Sequence, residues 1–144
     1  MTISRKTELG EVKISDQVAA DIITAIFEAP DMSDKIWPAT ERGHAIGKRS
    51  MIAEIVDIGD TDLASNIETE TDASGNVTIE FSVIVRFGVS IKTVTHEFSD
   101  RIADSMLYIL GIKPSKIIIN IAGVKSKQIA RRNTRTIYRY DTDS

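Results

Sequence analysis

The stretch NVTIEFSVIVRFGVSIKTVTHEF, residues 76–98, decides how this chain folds. Val77, Ile79, Phe81, Val83 and Val85 alternate with other residues, the period of a strand with one buried face. Past Gly88 the period changes. Ile91, Val94, Phe98, Ile102, Met106 and Ile109 advance by three or four, which predicts a helix from Ser90 to Leu110. Gly88 supplies the turn between them, since it has no Cβ to obstruct a tight bend. Ser90 is placed to cap the helix and Gly111 to end it. Arg86 is out of phase with Val83 and Val85, so it should face away from the helices.

A strand, a glycine and a helix also open many nucleotide sites. Those sites need several glycines, for the turn, for the pyrophosphate and for close helix–strand packing. Gly88 stands alone, followed by Val89 and Ser90, and reads as a structural turn.

The same reasoning extends outward. KIIINIAGV, residues 116–124, follows Pro114 and is rich in β-branched residues, which predicts a buried strand. On the N-terminal side, EVKI at 11–14 alternates, then Ser15 or Asp16 can cap a helix from Asp16 to Glu28. Val18, Ile22, Ala25, Ile26 and Ala29 form its apolar stripe, and Pro30 stops it. Residues 30–50 hold two prolines and two glycines and read as an irregular excursion, with Trp37 as its anchor. MIAEIVDI at 51–58 is a further strand, and an acidic loop follows to Gly75. The predicted order is β-α-β-β-α-β. Two helices on one face of a small mixed sheet would bury both stripes, giving an α+β two-layer sandwich over residues 1–124. Residues 125–144 form a basic C-terminal tail, with only Ile129, Ile137, Tyr138 and Tyr140 to dock it.

Composition narrows the function. The 144 residues suit one domain, and 42% hydrophobic with 27% charged residues is ordinary for a globular chain. With no cysteine, thiol nucleophiles, thiolate metal sites and disulfides are excluded. No apolar run approaches the roughly 20 residues of a spanning helix, and MTISRKTELG lacks the core of a secretory signal, so a cytoplasmic location is expected. The net charge of -3 conceals a bipolar layout. Six acids and no base lie between Asp57 and Asp72; six bases and no acid lie between Lys125 and Tyr140.

Motifs for catalysis or cofactors are not met. GHAIGKRS, residues 43–50, has three residues between its glycines where a phosphate loop needs four, and Arg49 follows the lysine. DIGDTDLASNIE, residues 57–68, places oxygen ligands at the wrong positions for a helix–loop–helix calcium site. His96 has no second metal ligand at helical spacing, and His44 sits in the irregular excursion. No serine lies in a G-x-S-x-G elbow. The expectation is a protein without catalytic residues, metal, cofactor or small-molecule substrate. The remaining functional candidate is the tail: Lys125, Lys127, Arg131, Arg132, Arg135 and Arg139, interleaved with Tyr138 and Tyr140. Such a segment suits nucleic-acid phosphates and bases, an anionic membrane surface or an acidic partner, or it is a solvated arm.

Three segments, in order, resemble the alkaline shock protein family of Gram-positive envelope stress proteins. GEVKISDQVAADII (10–23) resembles its opening strand and helix. NVTIEFSVIVRFGVSIKTVTHEFSDRI (76–102) resembles its long strand, aromatic-glycine turn and following helix. IIINIAGVK (117–125) resembles its closing strand. Residues 30–75 are longer and more irregular than the usual link, and the basic tail has no counterpart in the family's motifs. The resemblance implies a cytoplasmic, non-enzymatic protein that associates with itself and is tethered to the membrane by a separate anchor protein. It carries over no catalytic residue. Nucleic-acid binding through the tail is the alternative.

Overall fold

The computed structural model describes residues 2–7, 10–40, 45–46, 58–59, 66–126 and 129–140. Its centre is the predicted pair of long strands and the helix between them. β7 (Val77–Arg86) and β8 (Lys116–Lys125) run parallel, and α2 (Ile91–Leu110) is the crossover that parallel neighbours require. Gly88 turns the chain at φ 92°. The Ser90 side chain accepts from the Thr93 amide at 3.2 Å, capping α2. Gly111, at φ 69°, closes the helix by donating to the Leu107 carbonyl.

β3 (Ile36–Ala39) and β6 (Glu68–Thr71) both pair antiparallel with the same edge of β7, β6 with its first half and β3 with its second. Beyond β3 come two short strands, β4 (Ala45–Ile46) and β5 (Ile58–Gly59). On the other side β8 is flanked antiparallel by β9 (Ile129–Arg139), so the mixed sheet runs β5-β4-β3-β7-β8-β9 with β6 beside β7. β1 (Thr2–Thr7) and β2 (Gly10–Ser15) make a separate hairpin before α1 (Asp16–Phe27).

The α+β class and both helices are as the sequence predicts. Four details differ. The first predicted strand is half of that separate hairpin, not part of the sheet. The excursion at 30–50 contains β3, whose four residues are all buried. The acidic loop contains β6, in which the short β-branched Thr69 faces inward and is fully buried. The basic tail contains β9, an 11-residue strand. Most of the strand expected at 51–58 lies outside the described residues.

Odd-numbered residues of β7 and Ile117, Ile119 and Ile121 of β8 pack against both helices. Phe27, Phe81 and Phe98 form an aromatic cluster there, with Phe27 and Phe98 ring centroids 4.5 Å apart. The buried stripe of α1 is rotated from the predicted one: Ala19, Ala20, Ile23 and Phe27 join Ile22 and Ile26, while Val18 and Ala25 face out. On α2, Val94, Phe98, Ile102 and Met106 are buried, but Ile109 is 60% exposed.

A chelate ties the α1–β3 connection to α2. Arg101 donates from Nη1 to Asp31 Oδ1 at 3.0 Å, from Nη2 to Asp31 Oδ2, and from Nη2 to Glu97 Oε1 at 3.0 Å. The Arg101 hydrogen bonds hold the Asp31 carboxyl below its ordinary 3.8. A carboxylate with a depressed folded value contributes stability that is present above the unfolded value and lost as pH falls through the folded one. The melting temperature should therefore drop as pH falls below 3.8, with a smaller drop in Asp31→Asn.

Candidate functional site

Because side chains alternate along a strand, the face of the sheet away from the helices carries the even-numbered residues of β6 and β7. Register places them in rows across four strands. Glu70, Thr78, Lys116 and Arg139 form one row; Glu68, Glu80, Ile118 and Ile137 form the next; Ser82, Asn120 and Arg135 form a third. Charge is thus segregated across the face, acidic over β6 and β7 and basic over β8 and β9. Glu68, Glu70, Arg135 and Arg139 are exposed at its two sides. Between them, Asn120 donates to Glu80 Oε2 at 2.8 Å, and Arg135 Nη2 lies 3.8 Å from Glu80 Oε1.

At the β3 end of the same face, Trp37, Ala39 and Ile84 form a second buried cluster, with Ile129 of β9 packed on it. Lys125 Nζ lies 5.4 Å from the Trp37 ring centroid, a cation–π contact. Trp37 is therefore the anchor that the sequence suggests, buried on the face away from the helices. Gly123 makes this packing feasible. A Cβ there would stand 2.7 Å from Ile129 Cγ2 and 3.4 Å from Ile84 Cγ1. The β8 register shifts between Ile121 and Gly123, and beside that bulge Ser82, Asn120, Ala122, Arg132, Asn133 and Arg135 border a polar recess of about 580 Å³.

The predicted basic residues divide accordingly. Lys125 covers Trp37. Arg132 is exposed, with Nε donating to Thr134 Oγ1 at 2.9 Å. Arg135 and Arg139 point outward in the rows already described. Arg131 pairs with Gly123 in the ladder, and Lys127 and His44 lie outside the described residues. Arg86 faces away from the helices, as its phase predicts, 3.7 Å from Asp34. Glu68 and Glu70 belong to the acidic run evident in the sequence, whereas Glu80, Lys116 and Asn120 are not singled out by motif reading. Their signal is the polar alternation within β7 and β8, which marks a second, wetter sheet face.

The inward residues of β9 fasten it to α2. Thr95 Oγ1 donates to the Ile91 carbonyl at 2.7 Å and so accepts from Tyr138 Oη at 2.6 Å. Tyr140 Oη donates to Asp100 Oδ1 at 2.9 Å and accepts from the fully buried Ser99. His96 stacks on Tyr138 with ring centroids 5.2 Å apart, a packing role. Burial, with the neighbouring Asp100, pushes the Tyr140 phenol up to about 12 from 10.0. A phenol raised on folding contributes stability in full below pH 10.0, and that contribution is lost as pH climbs toward 12. Tyr140→Phe should cost about 1–3 kcal/mol at neutral pH by stranding the Ser99 hydroxyl. Melting followed from pH 9 upward should show a shallower alkaline decline in that variant.

A family model described by its cell envelope-related function matches residues 4–126, most of the chain. The chain belongs to the alkaline shock protein 23 family. Comparison with curated proteins and with solved structures returns no match. The matched region ends at Ser126, three residues before β9 begins. The acidic side of the outer face thus lies inside the matched region, whereas Arg132, Arg135 and Arg139 lie beyond it. Among the described residues, no helix is long and apolar enough to cross a membrane.

Proposed function

We propose that this chain is a non-enzymatic interaction module of the envelope stress response. It works as a self-associating scaffold at the cytoplasmic face of the membrane, held there by a separate anchor protein. Family membership supplies the envelope role. The observation that carries the interaction reading is the outer sheet face, where exposed carboxylates and guanidinium groups stand on opposite sides of one surface. Such a layout favours a partner with its own segregated charge, because complementary potentials steer encounter and fix register. Crosslinking with mass spectrometry in cells tests it. Links between copies of the chain, together with links to a membrane protein, are expected; recovery of intramolecular links alone would count against it.

Arg132, Arg135 and Arg139, exposed on β9, also favour nucleic acid as a second reading. Glu68, Glu70 and Glu80 share that face and repel a polyanion, which places this reading second. Binding to RNA or DNA that weakens steeply with added salt would reverse the order.

A further inference from the structure

The geometry points to a two-fold interface in which the outer sheet faces of two copies pack against each other, with the symmetry axis parallel to the strands between β7 and β8. This rests on the self-association reading and adds which surface is used and how it is oriented.

In a symmetric dimer each surface must be complementary to itself. A two-fold axis parallel to the strands leaves position along a strand unchanged and exchanges the two sides of the sheet. β6 of one copy then lies over β9 of the other, and β7 over β8. In the first row this sets Glu70 opposite Arg139 of the second copy, and Thr78 opposite its Lys116. In the next row Glu68 falls over Ile137 of the second copy, flanked along β9 by Arg135 and Arg139. Ile137, at 39% exposure, is covered there by the Glu68 side chain, whose carboxylate lies within reach of those flanking arginines.

The alternatives are worse. A two-fold axis across the strands keeps each side of the sheet over itself, placing Glu68 and Glu70 over the carboxylates of the second copy and Arg135 and Arg139 over its guanidinium groups. Pairing β9 edge to β9 edge would likewise bring arginine against arginine. Stacked sheets also tolerate the chosen arrangement, since aligned packing keeps strand directions within about 30°. Arg135 and Arg139, the guanidinium groups of the basic half, come from β9, outside the region matched by the family model.

The test is charge exchange, measured by sedimentation velocity over a concentration series at low salt, with circular dichroism melting to show that each variant is folded. Glu70→Arg and Arg139→Glu should each weaken self-association about tenfold or more, the scale of one well-placed charge contact. The double variant should recover to within about threefold of the natural chain. Asp104→Arg, on the exposed side of α2, should leave association unchanged. If the natural chain associates but the single reversals do not weaken it, or the double variant fails to recover, this interface is wrong while self-association stands. A natural chain that stays monomeric throughout would overturn both.

Discussion

Phe98→Ala should destabilise the domain by about 3–5 kcal/mol, the range for removing a large buried aromatic ring. Phe98 is fully buried, and its ring meets Phe27 at 4.5 Å and Phe81 at 5.8 Å between centroids. It thereby joins α2, α1 and the central strand, so truncation leaves a void between the layers as well as losing transfer free energy. Collapse around that void is hindered because β7 is fixed in its ladder on both sides. Urea unfolding followed by circular dichroism would read the loss as a lower midpoint with an unchanged slope. Tyr108→Ala, three turns farther along α2 at a residue 91% exposed, should change stability by no more than about 0.5 kcal/mol. Equal effects at the two sites would contradict the placement of the core.

Removing residues 126–144 should cost on the order of 5 kcal/mol, comparable with the entire stability of a small domain. β9 pairs with β8 from Lys116 to Lys125, so its loss would leave the backbone of a central, isoleucine-rich strand as a bare edge. It would also leave the buried Ser99 hydroxyl without Tyr140, remove Tyr138 from Thr95 and uncover Trp37 where Ile129 packs. Thermal melting of the shortened chain should show a transition displaced far downward or no cooperative transition. A melt superimposable on that of the intact chain would mean that β9 is an appendage after all.

The contrast between these two sites shows what could be read from the residues. Phe98 was legible because local signals agree around it: the alternation of β7, the φ 92° turn at Gly88 and the Ser90 cap fix where α2 starts and which side it buries. β9 is hard to read from the sequence because its inward residues are Thr134, Thr136, Tyr138 and Tyr140. They recur with period two and are β-branched or aromatic, which is a strand signal. Hydrophobicity alone does not register them, and the intervening arginines dominate the composition. β6 is obscured in the same way, with Thr69 inward between two glutamates. The rotation of the α1 stripe has another cause. Ala19 and Ala20 are small enough to let α1 approach its neighbours closely, a choice that only the packing reveals. The candidate site is half legible: the acidic and basic runs both stand out in the sequence, but they lie about 60 residues apart and come alongside only through the register of β6, β7, β8 and β9.

We propose that this chain works by assembling with itself through protein contacts. Sedimentation velocity of the intact, unmodified chain tests it most directly. The account predicts a species at twice the 15.9 kDa chain mass or above, growing with protein concentration and receding as salt screens the charged face. A single 15.9 kDa species, unchanged by concentration and by salt, would contradict it.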